Sequence, residues 1–86
     1  MYEVFSDQIH HEVRDLPPAA RQVIEELTVA LSLAPWNSEP AVKQNPQAEL
    51  RFCTFETDEG FGFIYFVIVE HAHEVVVERL IWSSWG

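Results

Sequence analysis

Residues 61–69 read Phe61-Gly62-Phe63-Ile64-Tyr65-Phe66-Val67-Ile68-Val69, an aromatic and β-branched run without a charge. This composition is that of a strand. With side chains alternating across a pleat, one face carries Phe61, Phe63, Tyr65, Val67 and Val69, and the other Gly62, Ile64, Phe66 and Ile68. Both faces are apolar. A strand buried on one side only alternates with polar residues, so this one belongs at the centre of a sheet with both of its faces in need of cover.

Working outward, Glu49 to Phe55 and Val75 to Trp82 read as flanking strands, joined to the central one by turns at Asp58-Glu59-Gly60 and around His71-Ala72-His73. The three form a meander. Tyr2 to Phe5 is a further short strand, followed by Ser6-Asp7, either of which can cap a helix. Ile9, Val13 and Leu16 recur at helical spacing until Pro17-Pro18 ends the segment. Pro18 opens a second helix at its first position, where the missing N–H costs nothing, and Ala20, Val23, Ile24, Leu27, Ala30 and Leu31 give it a continuous apolar stripe. From Leu33 to Ala48 three prolines, Pro35, Pro40 and Pro46, mark a long connection, with Trp36 as its anchor.

The order β-α-α-β-β-β defines a single α+β domain over residues 1–86, with two N-terminal helices packed on one face of a four-stranded, mostly antiparallel sheet. Two helices cover only one face. The candidates for the second are the loop with Trp36, the tail with Trp82 and Trp85, a second copy, or a protein partner.

Bulk properties narrow the function. At 86 residues the chain supports one core, burying roughly 60–65% of its unfolded surface. Fourteen acidic residues against five basic ones leave a formal charge of −9, a field that repels phosphate and argues against nucleic acid as a partner. The basic residues are Arg14, Arg21, Lys43, Arg51 and Arg79. Basic proteins or cationic ligands suit this field better. The start Met1-Tyr2-Glu3-Val4-Phe5 has neither the basic region nor the apolar stretch of a signal or membrane segment, so a cytoplasmic location is expected.

Leu16-Pro17-Pro18-Ala19-Ala20 leading into the long helix, Leu31 through Pro35-Trp36 closing it, Arg51 in the second strand, the Gly60 to Tyr65 spacing of the third and Val75-x-Val77 in the fourth together resemble the RelE/ParE toxin superfamily. The resemblance covers nearly the whole chain. It implies a bacterial toxin of a toxin–antitoxin module, held inactive by an antitoxin-like protein. Ribonuclease members use a cluster of Lys and Arg with a Tyr, Glu or His to cleave messenger RNA on the ribosome. By that resemblance Arg51, Tyr65 and Arg79 would be the catalytic set, the arginines binding phosphate and the tyrosine moving a proton. Where many members carry Tyr-Arg this chain has Phe61-Gly62, and where they carry His-Arg it has Trp82-Ser83. Without those cations the main stabilisation of a phosphorane is missing. The expectation is therefore a divergent RelE/ParE-like protein acting through protein contacts, as gyrase-binding members of the superfamily do, without ribonuclease activity. The alternatives are a non-toxic binding or regulatory module, with a homodimer as one form, and a weak ribosome-dependent endoribonuclease.

The remaining constellations are bland. His71 and His73, beside Glu70 and Glu74, guarantee only two metal ligands where three or four must converge, so no metal and no cofactor are expected. Cys53 reads as a small buried hydrophobe, and Ser83-Ser84 has no glycine elbow to make a nucleophile. Glu25-Glu26 and Asp58-Glu59 are a solvated helix face and a turn. Trp36, Phe61, Phe63, Phe66, Trp82 and Trp85 are candidates for a partner-binding groove, although core filling accounts for most aromatic side chains in a domain of this size.

Overall fold

The computed structural model describes residues 1–42, 44, 45 and 47–86. Strand β1 (Glu3–Phe5) leads through a 3-10 turn at Asp7–Ile9 into the short helix α1 (His10–Arg14), and α2 (Pro18–Leu33) follows. A second 3-10 turn at Pro35–Asn37 precedes β2 (Glu39–Pro40), and β3 (Leu50–Thr57), β4 (Gly60–Val69) and β5 (Glu74–Ser84) complete the chain. Pro18 sits at the start of α2 as its fixed φ favours.

The sheet is α+β in context as expected, but it has five strands in the order β1-β5-β4-β3-β2, with β1 parallel to β5 and the other pairs antiparallel. The additional strand, β2, lies inside the segment read as a connecting loop. Proline argued against a strand there. An edge strand tolerates Pro40, because no partner lies outside it to need the missing N–H. Pro46 falls outside the described residues.

Ile9, Leu16, Ala20, Ile24 and Leu31 from the helical layer meet Phe55, Ile64, Phe66, Ile68, Val75, Val77 and Leu80 of the sheet in one core. The molecule measures 39 × 26 × 18 Å. The smallest dimension accommodates one layer of helix, about 10 Å across, on one sheet. A helical layer on the other side would need about 10 Å more.

A bulge in β5 decides which aromatic side chains join that core. Tyr65 pairs with Arg79 and Phe66 with Val77, leaving Glu78 as the extra residue. Before it Val75 and Val77 face the helices, and after it Leu80 and Trp82 do. The phase of the strand shifts by one residue. Trp82 thereby stacks on Phe55 at 5.9 Å, across β4 at Gly62. A Cβ on Gly62 would lie 2.6 Å from Cζ of Phe55, and one on Gly60 would lie 2.7 Å from Cζ2 of Trp82. The two glycines serve close packing, and neither has a positive φ.

Candidate protein-binding face

In β4 burial alternates strictly: Gly62, Ile64, Phe66 and Ile68 are covered, whereas Phe61, Phe63, Tyr65, Val67 and Val69 are only half-buried. The register adds Phe52, Thr54 and Glu56 of β3 and Val76, Arg79, Ile81 and Ser83 of β5 to the second face. It is aromatic and aliphatic at its centre. Phe52 and Tyr65 stand 5.6 Å apart across the strands, and Phe61 and Phe63 meet edge to face at 6.0 Å. Ile81 is 39% exposed.

Among the described residues, Trp85 is the ring that folds onto this face from beyond the strands. Its indole N–H donates to the Thr57 carbonyl at 3.0 Å, its backbone N–H to Glu59 at 3.0 Å, and its ring packs 5.1 Å from that of Phe61. Even so anchored it is 56% exposed. Between Trp85, Phe61, Phe63, Thr54 and Glu56 lies an open groove of about 790 Å³.

The six aromatic residues singled out in the sequence do not form one surface. Phe61, Phe63 and Trp85 line the open face, but Phe66 is fully buried beneath the helices and Trp82 lies on the helix side because of the bulge. Trp36 also packs against the core, with its indole N–H directed at the Glu70 carboxylate at 3.3 Å. Phe52 and Ile81 belong to the open face and were missed. The signal for Ile81 was the step of three between Val77 and Leu80, which marks the bulge in an otherwise alternating strand.

Arg51, Tyr65 and Arg79 are likewise separated. Tyr65 and Arg79 are cross-strand partners on the open face. Arg51 is paired with Phe66 in register, points to the helix side and is 4% exposed. Its Nε donates to Ser38 Oγ at 3.0 Å, Nη1 to the Ala48 carbonyl at 3.2 Å, and Nη2 to the carbonyls of Trp36, at 3.3 Å, and Ser38. The guanidinium also lies 5.1 Å from the centre of the Trp36 ring. Arg51 ties the segment after α2 to the sheet.

Elsewhere the titratable groups have structural surroundings. Glu70 accepts from the Tyr2 hydroxyl, 2.9 Å from Oε1, and its carboxyl is held below the ordinary value first by that bond and then by the one from Trp36. The same bond is the main cause that pushes the Tyr2 phenol above its ordinary value. Burial raises the Cys53 thiol. His73 adopts the left-handed conformation, φ 52°, at the turn before β5, with its ring edge-on to Tyr2 at 5.1 Å. Among the described residues no three His, Cys, Asp or Glu side chains converge as metal ligands, and no described helix is long and apolar enough to cross a membrane.

No family model, curated protein or solved structure matches this chain.

Proposed function

We propose that this chain is a divergent RelE/ParE-like toxin-family protein that acts by binding another protein through the open face of its sheet, without ribonuclease chemistry. The observation that carries the reading is the uncovered aromatic face itself, with Phe61, Phe63, Ile81 and the overhanging Trp85 at one end. Covering Trp85 alone would remove about 140 Å² from water, taking roughly 250 Å² for the whole ring. At about 25 cal/mol per Å² this favours association by about 3 kcal/mol before the cost of ordering the partners. The face has the composition of an interface core, aromatic and poor in charge.

The nuclease alternative has less support. Phosphoryl chemistry needs cations preorganised around one phosphate. Arg51 lies on the far side of the sheet from Tyr65 and Arg79, its guanidinium among the carbonyls of Trp36, Ser38 and Ala48. The RelE/ParE assignment itself rests on element order and framework residues, and fold alone does not decide activity.

The test is inducible expression in a bacterial host of the wild type and of Ile81→Asp, following growth and total messenger RNA. Growth arrest with intact message, relieved by Ile81→Asp, is the expected result. Message loss would establish the endoribonuclease instead. Unhindered growth by the wild type would refute a toxin and favour a non-toxic binding module.

A further inference from the structure

The outer edge of β3 carries an inference that rests on this protein-binding reading and specifies its geometry. Just before β3 the Glu49 carbonyl accepts from Ile68 of β4 at 3.0 Å, and at the first residue of β3 the Leu50 carbonyl accepts from Ala41, beside β2, at 2.9 Å. Backbone groups alternate sides along a strand, so the N–H and C=O of Phe52, Thr54 and Glu56 point away from β4. Strand β2 pairs only with Arg51 and Phe52. Among the described residues Thr54 and Glu56 thus present an open row of donors and acceptors, in line with β2.

Cavities flank this edge on both faces. On the open face Thr54 and Glu56 form one wall of the 790 Å³ groove that continues to Phe61, Phe63 and Trp85. On the helix face Cys53 borders a smaller cavity of about 200 Å³ with Leu27, Leu31 and Asn37. A strand added at the edge would place alternate side chains at the two cavities, the arrangement by which sheet augmentation combines main-chain affinity with side-chain selectivity.

Charge selects the occupant. Glu39 and Glu49 stand at one end of the edge, Glu56 beside the groove, and Asp58 and Glu59 at the other end, all in a chain of net charge −9. The cation in β3, Arg51, is buried on the helix side. A second copy would bring the same carboxylates to the same edge, and like charges set directly across a strand pair are destabilising. We infer that the β3 edge at Thr54–Glu56 accepts an extended segment of a partner protein in which basic side chains, lying over the groove beside Glu56, alternate with small apolar ones at the Cys53 side.

The probe is a capped hexapeptide of alternating Arg and Val, with two isomers, one N-methylated at its arginine amides and one at its valine amides. In a strand added antiparallel to β3, as β2 is, with the arginines over the groove opposite Thr54 and Glu56, the arginine N–H groups face the edge. Methylation at arginine is expected to weaken binding at least tenfold, methylation at valine to leave it unchanged, and replacement of Arg by Glu to abolish it. Hydrogen exchange at Thr54 and Glu56 should slow at least tenfold on saturation with the unmethylated peptide. Equal affinity of the two isomers, or NMR shifts at Phe63 and Ile81 without protection at Thr54 and Glu56, would overturn strand addition while leaving the protein-binding face standing. Absence of binding at millimolar peptide would also overturn it, and the growth assay with Ile81→Asp then judges the face independently.

Discussion

Arg51 holds its place by geometry that a lysine cannot reproduce, since the planar fork reaches Ser38, Trp36 and Ala48 at once while stacking near the Trp36 ring. Arg51→Ala is therefore expected to lower stability by about 2–4 kcal/mol, through unsatisfied carbonyls and lost packing, read as a shift in urea midpoint. Arg51→Lys should recover only part of that. Gly62→Ala puts a methyl against Phe55 and the Ile81 carbonyl, both under 3 Å from the new carbon, and should cost about 1–3 kcal/mol in the same measurement. Tyr2 and Glu70 predict a pH window. Glu70, with its folded value lowered, stabilises above its unfolded value and loses that contribution as pH falls through the folded one; Tyr2, raised, stabilises below its unfolded value and loses it as pH rises through the folded one. Tyr2→Phe should thus lower Tm most at neutral pH, with the gap from wild type narrowing below the carboxylate range and above the phenol range.

At the scale of elements, the β5 bulge is the feature with the largest consequence. Deleting Glu78 would remove the extra residue and restore simple alternation, leaving Arg79 opposite Tyr65 and Leu80 and Trp82 on the helix side. The deletion is therefore expected to leave the fold in place, with near-ultraviolet circular dichroism retaining the signal of the Phe55–Trp82 stack, and loss of that signal would show that the bulge itself holds Trp82 in position. The helices, the meander and the two-sided apolar strand were legible in the sequence, because periodicity, proline position and turn residues all act locally. Strand β2 was not, since a two-residue edge pairing has no periodicity of its own. Nor was the sorting of the aromatic side chains: Trp36 and Trp82 differ from Phe63 and Trp85 in face, not in composition.

For the whole molecule, two layers and a charge of −9 set the terms of association. A partner drawn by carboxylates around an apolar groove should bind less well as salt rises. Affinity of the Arg-Val peptide is expected to fall severalfold between about 0.1 M and about 1 M salt, where the Debye length shrinks from about 10 Å to about 3 Å, as isothermal titration can measure. Constant or rising affinity would show that apolar contact dominates. The chain's own sequence determined the α+β class, the cover for one face of β4 and the acidic field, because these follow from side-chain periodicity and a count of charges. Only the tertiary structure decided which aromatic side chains face outward, where Arg51 points and which strand edge stays open, because each depends on register and on a bulge that a one-residue shift would reverse.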